Sequence, residues 1–377
     1  MATSSGVRPH TATISIGGGD YPVLDGEVSL HATRQSGTFS CSIPLSLPGV
    51  EDSLANADNL DVTITVNGQT LITGELDSGD FDFTRRIVHV SGRDKSAKLH
   101  SKKMQKSWQN KQPKDVIQDA AQEAGLQASV SGGDSGGGGG GGGGGSGGGG
   151  GMKAGRTWDK DWVKLADNVS CGAIVDKMCE MMGWRWFVDE NGQMKVMDKS
   201  DSGGSFSIFY APPSDAGPEM SDALSLAVSR NYQASKKIDV EVKSWHQKQK
   251  KTFTGKASAS ADGGGGGGDG LKYQYHIPML DKDHAQQYAK AKAKEHARHR
   301  VQVSATCVGD TSCRAGMSLQ LSGTPFSGQY EIDSVTHRFG MQGYTMQIHA
   351  RNEPNVEGGG DGGGDGGGDG GGDSGGA

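Results

Sequence analysis

Runs of glycine divide this chain and limit which parts of it can fold around a core. The chain has 377 residues, of which 64 are glycine, and long Gly-rich runs lie at 132–151, 263–270 and 358–377. Glycine loses the most backbone entropy on ordering and has no side chain to bury. We therefore expect a Gly-rich loop at 132–151, a shorter loop at 263–270 and a disordered Gly/Asp tail at 353–377. Two origins stay open for these runs: surface insertions, or placeholders for residues of unestablished identity.

Charge and hydropathy argue against two broad classes of protein. The formal net charge is −6, whereas a general nucleic-acid binder carries a basic excess. No apolar run approaches the roughly 20 residues that a membrane-spanning helix needs. Residues 1–9 lack the hydrophobic stretch of a signal peptide. We therefore expect the protein to be made in a cytoplasm, without stable membrane insertion.

The cysteines agree with a reducing compartment. There are five of them, and an odd, scattered set is not a disulfide framework. Cys307 and Cys313 flank a short predicted turn, and the sequence leaves open whether they pair. Two reduced thiols are the simpler interpretation.

Short stretches of alternating apolar and polar residues predict β-strands in the first hundred residues. The clearest signal is Asn67-Gly68 between the apolar-alternating segments 61–66 and 71–76, because Asn-Gly favours a two-residue hairpin turn. Short strands separated by turn residues are typical of a small barrel or sandwich. We predict a first tube-like β-barrel domain at residues 10–100.

Helical patterns follow, and then a second set of strands. Pro113 and Gly125 bound one predicted helix, and Ser170 and Gly183 bound another. The predicted units after the first domain are, in chain order, a helical connector at 101–131, the loop at 132–151, an α+β domain with a helix and a β-hairpin at 152–222, a second tube-like β domain at 223–352 with a helix at 281–300, and the tail at 353–377. The predicted fold class is α+β and mainly β, with two tube-like antiparallel β-barrel domains and an inserted small α+β domain.

Two stretches of the chain repeat one pattern. Each contains a strand, a glycine turn, a strand reading Glu, apolar, Asp, Ser, a hairpin, and a strand ending in Arg followed by Asp or Asn. The central strands begin at Glu75–Ser78 and Glu331–Ser334, and the outgoing strands end at Arg93 and Arg351. The repeat indicates two related β domains, with convergent hairpin sequences as the alternative. Three copies of such a chain would present six similar units in a ring.

Four segments carry recognisable motifs. They are residues 61–99 with Gly92-Arg93-Asp94, residues 113–126, residues 183–196, and residues 315–344 with Gly328, Tyr330, His337 and Phe339. In this order the segments resemble the late control gene D and baseplate hub family of phage tails. The glycine loops and the tail have no counterpart in the family pattern.

This resemblance implies a structural protein of the phage tail baseplate, located in the virion and made in the cytoplasm of the host bacterium. It implies a homotrimeric, pseudo-sixfold ring that acts as a symmetry adapter. One face would meet the tail tube or distal tail proteins, and the other would seat the central spike protein. The channel would hold the tape-measure protein or pass genome DNA without specific binding. No cofactor is implied, and the motifs do not identify the tail type, the host or the partner proteins.

The motif residues are the candidate functional positions. We predict interface or structural roles for Gly92, Arg93, Asp94, Gly328, Tyr330, His337 and Phe339. Arg93 and Asp94 are expected to bond each other or nearby backbone at a domain boundary. His337 and Arg338 have two interpretations: an intersubunit or spike contact, or a half-exposed strand pair, of which the second is simpler.

Enzyme chemistry finds little support in the sequence. Wall hydrolysis needs an acid and a base held across a cleft, and no carboxylate pair stands in such a setting. No serine lies in a Gly-x-Ser-x-Gly elbow. His296 and His299 lack a cysteine or acidic partner at ligand spacing, so a basic helix face is the better interpretation than a metal site. We expect no catalytic residue, no metal and no enzyme. The alternatives are a tail-associated peptidoglycan hydrolase and the base of a secretion-system spike.

Overall fold

The protein is mainly built of β-strands, as its computed structural model shows. The structure describes residues 10–32, 35–55, 61–104, 112–131, 169–198, 203–214, 217–232, 237–246, 250–259, 270–278, 280, 282–352 and 356–358. The predicted α+β, mainly β class is confirmed. The predicted loop at 132–151, the loop at 263–270 except its last residue, and most of the tail at 353–377 lie outside the described residues.

The N-terminal block contains seven strands and two short helices. They are β1 (Ala12–Ile16), β2 (Gly19–Pro22), β3 (Asp25–His31), β4 (Thr38–Pro44), α1 (Val50–Ala55), β5 (Asp61–Val66), β6 (Gln69–Asp82), β7 (Ile87–Asp94) and α2 (Ala97–Ser101). The predicted hairpin turn is present, because Asn67 and Gly68 have φ angles of 52° and 77°, as a type I′ turn requires. Alternation along β5 buries Val62, Ile64 and Val66 in the core of this block.

A small α+β module follows. It consists of α3 (Pro113–Glu123), β8 (Ala128–Val130), α4 (Cys171–Met182), β9 (Trp184–Val188) and β10 (Met194–Asp198). The hydroxyl of Ser170 caps α4 by accepting from the Ala173 amide at 3.2 Å, and Gly183 ends it in the left-handed conformation. Helices and strands share one core, so the connector helix belongs to the same packed unit as α4.

The C-terminal block contains seven more strands. They are β11 (Ser205–Ala211), β12 (Met220–Ser221), β13 (Ala223–Arg230), β17 (Val301–Val308), β18 (Ser318–Ser322), β19 (Gly328–Gly340) and β20 (Gly343–Asn352). Its core is a separate cluster of buried residues. Cys307 and Cys313 lie in this cluster as free thiols, and burial raises their pKa values to about 11 and about 12.

A second small module is inserted between β13 and β17. It consists of β14 (Ile238–His246), β15 (Lys251–Ala259), β16 (Leu271–His276), α5 (Lys282–Ala297) and the late strand β21 (Val356–Gly358). A Cβ at Gly255 would lie 2.2 Å from the Ala285 backbone, so α5 lies directly on β15 at this glycine. The prediction of a disordered tail is wrong at residues 356–358, because β21 pairs its backbone with β15.

One hydrogen-bonded sheet runs through both β blocks. Its order is β12-β11-β18-β19-β3-β4-β7-β6-β5-β1-β2, with β20, β17 and β13 attached beside β19. No pairing between described strands closes either block into a barrel, so the two-barrel part of the prediction is not confirmed. The predicted boundaries at 131 and 222 do not follow the pairing, because β8 pairs with β10 and β11 pairs with β18.

Candidate functional site

The two β blocks contain the same five-strand unit. In the N-terminal block the strand order is β3-β4-β7-β6-β5, and in the C-terminal block it is β13-β17-β20-β19-β18. Every neighbouring pair in both units is antiparallel, and each long central strand, β6 or β19, leaves its first partner partway along its length. We call these the first and second repeat units. The internal repeat seen in the sequence is therefore also a repeat of topology.

The repeated Glu, apolar, Asp, Ser motif marks the same bulge in both units. Glu75 lies opposite Arg93, and Glu331 lies opposite Arg351. In both strands the register shifts at the aspartate, between Leu76 and Ser78 and between Ile332 and Ser334. A bulge adds one residue and re-aims its side chain. The aspartate of each motif is that extra residue.

Each bulged aspartate pairs with the arginine at the end of the outgoing strand. Asp77 accepts two hydrogen bonds from the Arg93 guanidinium, at 2.6 and 2.8 Å, and Asp333 pairs with Arg351. The Arg93 hydrogen bonds hold the pKa of Asp77 below its ordinary value. An arginine on the outgoing strand therefore holds the bulged aspartate in both units, through two hydrogen bonds in the first unit and through an ion pair in the second.

The three residues of the predicted Gly-Arg-Asp motif contact different neighbours. A Cβ at Gly92 would lie 2.1 Å from the Glu75 carbonyl oxygen, so the neighbouring strand excludes any side chain here. The buried Asp94 carboxylate accepts from the backbone amides of Gly37 at 2.7 Å and Ser96 at 2.9 Å. Burial raises the pKa of Asp94 although these donors oppose the shift. Asp94 thus bonds nearby backbone, and Arg93 bonds Asp77.

A buried ion network surrounds the second motif and was not predicted from the sequence. Glu331 pairs with Arg185 of β9 and with Arg298, just beyond α5, at 2.9 Å. Arg298 also reaches Asp333 at 3.0 Å. These charges tie the α+β module, the inserted module and the second repeat unit together. The Glu, apolar, Asp, Ser motif contains Glu331 and Asp333, but no local sequence pattern predicted that distant arginines would pair with them.

Gly328 and Tyr330 occupy the start of β19 and have different environments. Tyr330 is buried, and its hydroxyl donates to the Phe326 carbonyl at 2.5 Å. A Cβ at Gly328 would meet nothing within 4 Å. Tyr330 therefore anchors the core of the second repeat unit, whereas the space around Gly328 does not require glycine.

His337 and Phe339 lie inside the protein, which corrects one interpretation made above. The expected half-exposed pair is wrong for His337, which is 0% exposed. Its Nδ1 lies 2.9 Å from the Tyr344 hydroxyl, while Arg338 points outward and donates to Glu27 at 2.8 Å. Phe339 packs edge-to-face on Tyr344 in the core of the N-terminal block. Alternation along β19 is responsible, because it places His337 on the inward-facing side with Val335 and Phe339 and leaves Arg338 on the outward-facing side.

We expect His337 to make the stability of the protein depend on pH. Burial and the nearby charge of Arg314 lower the pKa of His337 to about 3, from 6.5. The unfolded chain then binds the proton more readily, so stability is full above pH 6.5 and falls as the solution is acidified. Between pH 6.5 and 5.0 this group should contribute a loss of about 1.5–2 kcal/mol.

The measurement is urea unfolding of the wild type and of His337→Gln across that pH range. The difference between the two slopes isolates His337, since burial also lowers the pKa values of His31, His296 and His299. Equal slopes for the two proteins would show that His337 does not titrate as described.

Metal and membrane sites were also sought in the described part of the chain. It contains no group of three or more His, Cys, Asp or Glu side chains placed to hold a metal ion. His296 instead stacks on Tyr273, with ring centroids 4.0 Å apart, and its Nε2 lies 2.7 Å from the Tyr275 hydroxyl. None of the described helices is long and apolar enough to span a membrane.

The two repeat units have unpaired strand edges and exposed hairpin tips at which another chain could bind. Among the described residues, β13 pairs with β17 alone, and residues 78–82 of β6 pair with β7 alone. The hairpin tips of the two units carry exposed apolar side chains, Phe83 at 66% and Met341 at 97% exposure. Unpaired edges and exposed apolar tips are typical of surfaces that bind other protein chains.

Solved structures of tail proteins have a similar fold. Residues 232–351 match the YQBQ-like family, and no curated protein matches the sequence. A tail protein from Neisseria meningitidis MC58 is similar over 91% of this chain and 96% of its own, with 9% identity and a TM-score of 0.65. The 43 kDa tail protein of prophage MuSo2 from Shewanella oneidensis is similar over 90% and 98%, with 11% identity and a TM-score of 0.65.

A prophage tail protein from Listeria monocytogenes EGD-e is similar over 91% of this chain and 94% of its own, with 5% identity and a TM-score of 0.56. Identities this low concern the fold and not the individual residues. The similarity extends over almost the whole length of all three proteins, so it includes both repeat units and the modules between them. This chain has the fold of phage tail proteins.

Proposed function

We propose that this chain is the structural hub protein of a phage-type tail, in the late control gene D and baseplate hub family. Three copies form a pseudo-sixfold ring that joins the tail tube to the central spike. The observation that carries the proposal is the common strand order of the two repeat units. A chain with two such units can occupy two positions of a six-membered ring, so three chains complete it.

The two hairpin tips support this role. Phe83 lies in the turn between β6 and β7, and Met341 lies in the turn between β19 and β20, at corresponding ends of the two repeat units. In a ring of three chains, six tips would point toward one face and offer apolar contacts at similar spacing. Such a face suits a neighbour with sixfold symmetry, namely the tail tube or a distal tail protein.

The remaining parts of the proposal concern location and partners. The protein is made in the cytoplasm of the host bacterium and becomes part of the baseplate of the virion. The opposite face of the ring seats the central spike protein. The channel holds the tape-measure protein or passes genome DNA without specific binding, which is compatible with a net charge of −6. No enzyme activity is part of this proposal.

The mass of the assembled protein tests the proposal. Native mass spectrometry and sedimentation should give a species of three times the 39.2 kDa chain mass, and negative-stain images should show rings with six lobes. A chain that stays monomeric at every concentration and is absent from purified tails would refute it. Turnover of purified peptidoglycan, abolished by a single carboxylate substitution, would favour the alternative of a tail-associated hydrolase.

A further inference from the structure

Within the two repeat units, two strand edges have no strand partner among the described residues. One is the outer edge of β13 in the second repeat unit, and the other is residues 78–82 of β6 in the first. An unpaired edge presents a row of amide and carbonyl groups to which another strand can bind. The two edges belong to strands with counterparts elsewhere in the same chain.

Those counterparts are already paired with each other. By strand order β13 corresponds to β3, and β6 corresponds to β19. Within the chain, residues 334–340 of β19 pair antiparallel with residues 25–31 of β3. This junction joins the two repeat units, so the structure shows how the second unit binds the first.

The register of the β19–β3 junction predicts the register that a pairing of β6 with β13 would have. Val28 lies opposite Phe39 of β4, which in turn lies opposite Gly92. Val228 lies opposite Val303 of β17, which in turn lies opposite Ala350. Because Gly92 and Ala350 precede the matching arginines of the two units, Val28 and Val228 occupy equivalent positions. Phe81 corresponds to His337 by the same reasoning through β7 and β20. Since His337 lies opposite Val28, Phe81 should lie opposite Val228.

We propose that the β13 edge of one copy pairs antiparallel with residues 78–82 of β6 in a second copy, with Phe81 opposite Val228. This inference rests on the proposed ring and supplies its contact between chains. Each copy offers one edge of each kind, so the contact is head-to-tail, and three copies close it into a ring. The occupant of the edge is thus a second copy of this chain.

The side chains on the two edges suit this register. Phe81 and Val228 are both half-buried within one chain, and pairing would cover both. In the proposed register Asp80 lies opposite Ser229. The equivalent residues of the β19–β3 junction are Thr336 and Ser29, whose hydroxyl oxygens are 3.0 Å apart. The Asp80 carboxylate can accept the same kind of hydrogen bond. The proposed contact therefore brings one apolar pair and one polar pair together on opposite faces of the joined sheet.

Paired cysteines test the register in the full-length protein. In the variant Asp80→Cys with Ser229→Cys, the two thiols of neighbouring copies should lie directly opposite, with Cβ atoms about 4.5–5.5 Å apart. Oxidation, or a short bismaleimide, should convert most of the protein to covalent dimers and trimers on a denaturing gel. The five native cysteines are buried, so the background from the parent protein should be low.

The control pair is Asp80→Cys with Arg230→Cys, in which the second thiol faces the other side of the sheet and should link at least tenfold more slowly. Native mass spectrometry is run on both variants. A trimer whose two variants link equally, or in which neither links, would overturn the strand contact and leave the proposed ring standing. A monomer without cross-links would overturn both.

Discussion

Replacing Glu331 with glutamine is expected to lower the free energy of unfolding by about 3–5 kcal/mol. The Glu331 carboxylate is 5% exposed, and it pairs with the Arg185 side chain, which is 1% exposed, and with Arg298. Glutamine keeps the size of the side chain and removes its charge. Two buried guanidinium groups then lose a carboxylate that offsets their desolvation, and this loss is the cause of the large effect.

The first repeat unit provides a matched control for this substitution. Glu75 occupies the position of Glu331, but it pairs with Lys98, and the side chains of this pair are 29% and 38% exposed. Solvent screens such a pair, so Glu75→Gln should cost about 1 kcal/mol or less. Urea denaturation of both variants beside the wild type measures the difference. Similar losses for the two substitutions would show that burial of the Glu331 network does not determine its contribution.

Replacing Gly92 with alanine is the second substitution for which we expect a large effect, about 3 kcal/mol of stability. The new Cβ would lie 2.1 Å from the backbone oxygen of Glu75 and 2.5 Å from the ring of Phe39. The ring can turn aside, but the oxygen belongs to the neighbouring strand β6. The strands must therefore separate locally, which weakens hydrogen bonds next to the Asp77 bulge.

Gly328→Ala is the control for this prediction, because both glycines belong to the motifs that stand out in the sequence. A Cβ at Gly328 meets no atom within 4 Å, so the expected change is within about 0.5 kcal/mol. Thermal unfolding monitored by circular dichroism distinguishes the two cases. A loss at Gly328 as large as that at Gly92 would mean that conformational freedom, and not the approach of β6, makes glycine necessary.

Local signals in the sequence predicted the local structure well. Asn67-Gly68 predicted its hairpin, and Ser170 and Gly183 predicted the ends of α4, because turn and cap geometry depends on a few adjacent residues. The repeated Glu, apolar, Asp, Ser motif predicted two related units, and the structure shows the same strand order in both. Each of these features is decided within a short stretch of chain.

Features that depend on distant residues were not predicted. β19 pairs with β3, and these strands are about 300 residues apart in sequence. The burial of His337, which is 0% exposed, likewise depends on which elements pack on the inward face of β19. The pairing of β21 with β15 was not expected, because the Gly-rich composition of the tail that follows β21 predicted disorder. No local pattern could associate Glu331 with Arg185.

The sequence by itself determined the class of the fold, the positions of the turns and caps, and the presence of two similar units. These follow from backbone preferences and from the periodicity of apolar residues. The tertiary structure decided how the units join, which charges are buried together and which strand edges remain unpaired. The physical reason is that hydrogen bonding between strands and the desolvation of ion pairs depend on which distant residues meet, and short-range patterns do not encode that choice.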